Sequence, residues 1–143
     1  MKILFIGDVV GQNSCEYLGS KLPKIKRDYS IDLTIVNGEN SADGNGITPF
    51  SANLLLSGGA DIITTGNHCF RRREMNDLYE ESSVIIRPAN FGETYGKGYC
   101  IADMGSSRVA VINLMGMAYM DNCDNPFFCI DKILKEIDTP NII

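Results

Sequence analysis

Apolar residues come in short blocks, and each block runs into a polar turn. Residues 2–6 (KILFI) lead to Gly7-Asp8, 32–36 (DLTIV) to Gly38-Glu39-Asn40, and 61–65 (DIITT) to Gly66-Asn67-His68. Blocks this short, rich in β-branched side chains and bounded by turn signals, read as strands buried on both faces. A fourth, 84–86, runs into Arg87-Pro88-Ala89-Asn90. The stretches between carry helical spacing. Ser14 is placed to cap a helix with Leu18, Leu22 and Ile25 on one face, which Pro23 should kink or divide. Thr48-Pro49 reads as N-cap and first position of a helix through Leu56, stopped by Gly58-Gly59. Residues 72–81 form a third helical stretch. The resulting βαβαβαβ order predicts an α/β fold, a mostly parallel sheet flanked by helices.

After Gly98 the pattern changes. Residues 99–103 and 108–114 flank Met104 and a turn, and read as an antiparallel hairpin. Residues 126–137 then place Phe127, Ile130, Ile133, Leu134 and Ile137 near helical spacing, as a core helix rather than a partner surface. Asn141-Ile142-Ile143 reads as the opening of another strand. No internal repeat interrupts this order.

The chain has 143 residues, the size of one domain, with 44% hydrophobic and 22% charged residues, enough apolar material for a core. The net charge of −5 argues against tracking a long nucleic acid, which needs a basic stripe. A small phosphorylated ligand stays open. The five cysteines are odd in number with no C-x-x-C, as in a reducing compartment. The N-terminal apolar run is short and broken by Asp8, unlike a signal peptide, and no run approaches the ~20 apolar residues of a membrane span. Together these predict a cytoplasmic protein with no membrane partner.

In an open parallel sheet, ligands sit beyond the carboxyl ends of the strands. Asp8, Glu39 with Asn40, and Asn67 with His68 should therefore converge there. Such oxygen and nitrogen donors suit divalent metals. The glycine ahead of each group is expected to let the chain turn sharply off its strand. Singly, each end has a plain reading: a cap, a solvated turn, a turn histidine. Three in succession favour one joint site.

The motifs GDVVG (7–11), VNGEN (36–40), GNH (66–68), RPANF (87–91) and VAVINLMG (109–116) resemble the YmdB-like branch of the calcineurin-like metallophosphoesterases, across nearly the whole chain. The wider superfamily carries Asp-x-His after the first strand, where Val10 stands in this chain and where the branch similarly lacks the histidine. The resemblance implies a two-sheet sandwich and a centre of two divalent metal ions, iron or manganese. It implies a metal-dependent phosphodiesterase acting on 2′,3′-cyclic nucleotides through a metal-bound hydroxide. Asp8 would bind the first metal and Glu39 would bridge both. Asn40 would support the first metal and Asn67 would bind the second. His68 would be the proton donor to the leaving oxygen.

The same resemblance implies three further histidines, in segments beyond Ile143, and members close to twice this length. The expectation is the amino-terminal portion of one metallophosphoesterase domain, with low activity alone. An apolar surface around 108–114 and 126–137 would be covered by a second copy, as in a homo-oligomer, or by further sequence. The alternative function is a non-catalytic regulatory or assembly module that keeps the fold without the full ligand set. A Rossmann-type nucleotide binder is disfavoured, because GDVVGQ lacks G-x-G-x-x-G. Arg71-Arg72-Arg73 reads as a solvated helix start before a phosphate attractor. Cys69 reads as a buried inert thiol. The loop 41–47 either borders the substrate or serves only as a turn.

Overall fold

The computed structural model describes residues 1–92, 95–120, 123–138 and 140–143. Four strands, β1 (Ile3–Ile6), β2 (Leu33–Asn37), β3 (Ile62–Thr64) and β4 (Ile85–Ile86), form a parallel sheet in sequential order. The register aligns Ile6 with Val36, Val36 with Ile63, and Ile63 with Ile85. All four strands thus end on or one residue past the same cross-sheet row, and the polar residues that follow them leave the sheet side by side. Helices α1 (Gly11–Tyr29), α2 (Pro49–Ser57) and α3 (Asn76–Glu81) connect the strands.

Alternation within the strands sends side chains to two faces. Val36, Ile63 and Ile85 pack with Cys15 of α1, with Ala52 and Leu55 of α2 and with Tyr79 of α3. Leu33, Ile35, Ile62 and Ile86 point the other way, onto Val109 and Val111. Those two belong to β6 (Arg108–Ile112), which pairs antiparallel with β5 (Tyr99–Asp103). The order is helix layer, parallel sheet, second sheet, as the α/β two-sheet expectation required. Ile142 bridges Arg108 in parallel, and Ala110 N–H donates to the Ile143 carbonyl at 2.9 Å. The final residues do open a further strand. Among the described residues no helix is long and apolar enough to cross a membrane.

The helices differ from expectation at their ends. Ser14 does not cap α1. The helix starts at Gly11, after Val10 with no side-chain cap, and the Gly11 amide donates instead to the Asn40 carbonyl at 3.0 Å. A long-range bond from the β2 turn replaces the local cap. Pro23 does not divide the helix, which runs unbroken through it. The residue four earlier, Gly19, lies where α1 meets the end of α2, and a Cβ on Gly58 would stand 2.8 Å from the Gly19 Cα. Thr48 and Ser51 form the expected capping box, with Pro49 first in α2. The 72–81 stretch begins as a 3-10 turn, Arg73–Met75, before α3.

The helix α4 (Pro126–Glu136) corrects another expectation. Ile133 within it and Ile137 just after it are buried, but Phe127, Phe128 and Leu134 are exposed, the phenylalanines at 74% and 76%. A single narrow stripe touches the fold, so most of the helix is surface rather than core. Its neighbour, the segment after β6, is held by Asn90. The Asn90 Nδ2 donates to the carbonyls of Met115 at 2.7 Å and Asp124 at 2.8 Å, and its Oδ1 accepts from the Met115 amide at 2.9 Å. Asn90 is 1% exposed and Met115 8%, so the Met115 carbonyl and amide that it serves are shut off from water. Asn90→Ala is expected to cost about 3 kcal/mol, read as a lower urea midpoint at unchanged m-value.

Candidate active site

Asp8 follows β1 with φ of 35°, in the left-handed region that L side chains rarely adopt. Next to it, the turn after β2 is fixed by backbone bonds. Val9 donates to the Asn37 carbonyl, Gly38 to Thr64, and Gly44 to Asn40. His68 leaves β3 in a tight turn, in which Cys69 donates to the Gly66 carbonyl and Arg71 to His68. The three strand ends thereby meet. Asn40 Nδ2 donates to Asp8 Oδ1 at 2.7 Å, and Asn40 Oδ1 lies 2.7 Å from His68 Nδ1.

This chain of contacts sets a proton. A carboxylate only accepts, so the Asn40 amide nitrogen must face Asp8 and its oxygen must face the imidazole. The bond to that oxygen then requires Nδ1–H on His68. Nε2 is left as the nitrogen that can take up or hand over a proton. Asn40, placed among the metal ligands by resemblance, also orients the histidine.

Glu39 stands behind this chain. Burial pushes its carboxyl up, His68 pulls it down, Asp8 pushes it up again, and the Asn67 main-chain amide pulls it down. Its Oε2 is buried with no hydrogen-bond partner among the described residues. The Asn67 side chain is not part of the hydrogen-bonded chain that links Asp8, Asn40 and His68. The structure joins those three directly, Glu39 by charge, and Asn67 through its backbone.

Two of the three glycines serve another purpose than turning, while a Cβ on Gly7 would meet open space. Gly7, Gly38 and Gly66 are not among the left-handed positions. A Cβ on Gly66 would fall 1.5 Å from Glu39 Oε2, and one on Gly38 would meet Leu55 Cδ1 at 2.9 Å. Gly66 makes room for the carboxylate. Gly66→Ala, tolerable to the backbone, is expected to displace Glu39 and weaken metal binding about 10–100-fold, with circular dichroism unchanged. Metal titration of both proteins checks it.

The loop 41–47 borders this edge. A Cβ on Gly46 would meet Arg72 Cγ at 3.0 Å and the His68 carbonyl at 3.4 Å, and Arg72 Nε donates to the Asn45 carbonyl at 3.1 Å. Arg72 therefore fastens the loop, while Arg71 and Arg73 are exposed. Cys69 is fully buried and its thiol is pushed up to about 12, chiefly by burial, which makes it inert at neutral pH.

An orphaned buried carboxylate oxygen with Asp8 and the Asn40 amide nearby is a donor set that suits a hard divalent cation. Nitrogen and sulfur add little. No three His, Cys, Asp or Glu side chains among the described residues are placed to hold a metal by themselves. The fit depends on the Asn oxygens.

The family model described as YmdB-like protein matches residues 4–143. The chain is 41% identical over 137 residues to the 2′,3′-cyclic-nucleotide 2′-phosphodiesterase of Bacillus subtilis (strain 168), covering 95% of this chain and 52% of that protein. In structure it is similar to a hypothetical protein from Thermus thermophilus, with a TM-score of 0.90 and 36% identity over 99% of this chain and 56% of that one. It is similar also to a novel phosphatase from Mycoplasma pneumoniae, with a TM-score of 0.88 and 26% identity over 96% of this chain and 52% of that one. The chain spans about half the length of the curated relatives it matches.

Proposed function

The chain belongs to the YmdB-like family, and on that premise we propose that it works as a metal-dependent phosphodiesterase on 2′,3′-cyclic nucleotides. The observation that supports this reading most is the buried Glu39 oxygen, without a hydrogen-bond partner among the described residues, beside the Asp8–Asn40–His68 chain. Asp8, Glu39, Asn40 and Asn67 would hold two divalent cations, with iron or manganese the proposed pair. When bound, these supply Lewis-acid activation of the phosphoryl group and of a water. The chain's own residues do the rest. Asp8 fixes Asn40 and Asn40 holds His68 Nδ1–H, so the acid is the ring that also carries a proton on Nε2. That proton goes to O2′ as the P–O2′ bond breaks, and the proton given up by the attacking water replaces it. The water oxygen has then joined phosphorus, and a 3′-phosphomonoester leaves.

Residues 1–143 are proposed as the amino-terminal portion of one metallophosphoesterase domain, acting in the cytoplasm. The test is hydrolysis of 2′,3′-cyclic AMP by the product of the complete reading frame with added Mn²⁺ or Fe²⁺, followed by chromatography. A 3′-nucleotide is expected, and Asp8→Asn should lose metal and turnover together. No hydrolysis with either metal would overturn the reading. A second reading, a regulatory or assembly module, draws on the thin donor set, a single imidazole with two carboxylates. It requires that metal leave the melting temperature unchanged.

A further inference from the structure

The fourth strand end takes no part in the Asp8–Glu39–His68 centre. Arg87 follows β4 at the same sheet edge, and a cavity of about 440 Å³ opens beside it. Its wall includes Arg87, Lys132, Asp124 and Phe128. Arg87 is 9% exposed, yet no carboxylate pairs with it among the described residues. Main-chain oxygens hold it instead. Nε donates to the Tyr95 carbonyl at 3.2 Å, and Nη1 to Pro88 at 2.8 Å and Ala89 at 3.4 Å. Nη2 has no partner among the described residues. A guanidinium fixed in this way is preorganised, with one edge free and no carboxylate paired to it among the described residues.

A buried cation without a counter-ion is costly unless something supplies the charge. Lys132 adds a second cation from α4, four residues after Phe128 and therefore on the same face of that helix. Among the described residues of the wall Asp124 is the one carboxylate against two cations, which leaves a net positive charge. Phe128, 76% exposed, gives the cavity an aromatic side. The volume lies within the range of small-molecule sites.

We propose that this cavity binds an organic phosphomonoester, with Arg87 Nη2 and Lys132 on the phosphate and Phe128 against the ring. It is separate from the Asp8–Glu39–His68 centre and does not depend on catalysis there. A phosphomonoester has two sources: the 3′-nucleotide that the proposed reaction would release, or an unrelated phosphorylated metabolite.

Calorimetric titration with 3′-AMP, 5′-AMP, inorganic phosphate and adenosine tests this, on protein as purified and again with EDTA. Both nucleotides should bind with and without EDTA, and adenosine should not. Lys132→Glu should weaken both nucleotides about tenfold or more. Phe128→Ala should weaken the nucleotides several-fold while leaving inorganic phosphate unchanged. Lys132 and Phe128 are exposed, so both variants should melt like the parent, which covers the case in which Arg87→Gln fails to fold. Tighter binding of 3′-AMP would identify the reaction product as the source, and equal or tighter binding of 5′-AMP an independent metabolite. Nucleotide binding that is indifferent to Lys132→Glu, or that vanishes in His68→Ala or Glu39→Gln, would overturn the site. Those outcomes are independent of whether 2′,3′-cyclic AMP is hydrolysed.

Discussion

His68→Ala is expected to lower kcat on 2′,3′-cyclic AMP by about 10²–10⁴-fold and to leave bound metal unchanged. The reason is the division of labour at its two nitrogens. Nδ1 is engaged by Asn40 Oδ1 at 2.7 Å, so the ring is oriented by an amide rather than by a cation. Nε2 is the atom left for proton delivery, and the work it does scales with how poor the leaving oxygen is. A ribose oxygen needs a proton as the P–O bond breaks, whereas p-nitrophenolate needs little. The loss should therefore be large on the cyclic nucleotide and small on bis-p-nitrophenyl phosphate. Asn40→Asp provides the companion measurement. A carboxylate at 40 would face Asp8 instead of donating to it, so the register of the chain is lost and turnover falls on the poor leaving group first. Parallel loss of metal and activity in His68→Ala, on both substrates alike, would show His68 to be a ligand and not the acid.

Strand polarity is what makes this site legible in the amino-acid sequence. β-branched blocks at 2–6, 32–36 and 61–65 make parallel strands, and parallel strands bring Asp8, Glu39 and His68 to one edge whatever the helices do. Features that the local pattern misreads depend on contacts far apart in sequence. Gly66 looks like a turn residue, but its absent Cβ is what admits the Glu39 carboxylate, 27 positions earlier. Ser14 is a good local cap, yet Asn40 supplies a carbonyl to Gly11 and starts α1 earlier. Helical spacing at 126–137 marks an amphipathic face but not how much of it is covered, and Phe127 and Phe128 lie outside the narrow stripe that is. Asn40 could be read as one more oxygen donor. Its second task, choosing the histidine tautomer, follows only from having Asp8 on one side and His68 on the other.

Glu39→Gln should make the metal-free protein more resistant to unfolding and at the same time abolish its response to metal. Burial is the largest cause of the raised Glu39 carboxyl, and Asp8 adds to it. Its Oε2 receives no hydrogen bond among the described residues. When ionised, Glu39 gives the folded state a poorly solvated charge, which the unfolded chain exposes to water. Gln keeps the shape and removes the charge. The pH dependence has a definite sign. The folded value lies above the unfolded one, so between the two the native state binds the extra proton. In EDTA the parent should gain stability as pH falls through the raised folded value towards the ordinary carboxylate range, and lose that gain as pH rises. Glu39→Gln should be flat over that window, with its advantage over the parent shrinking on acidification. Metal reverses the order. A cation at 100 times its Kd stabilises the native parent by about 2.7 kcal/mol, and the variant should gain almost nothing. Melting curves at pH 5, 6 and 7, with EDTA and with Mn²⁺, read both effects. A variant less stable than the parent in EDTA would mean that Glu39 is satisfied without metal. A parent whose melting point ignores metal would mean that the orphaned oxygen is not a ligand, and the phosphodiesterase reading would lose the observation that supports it most.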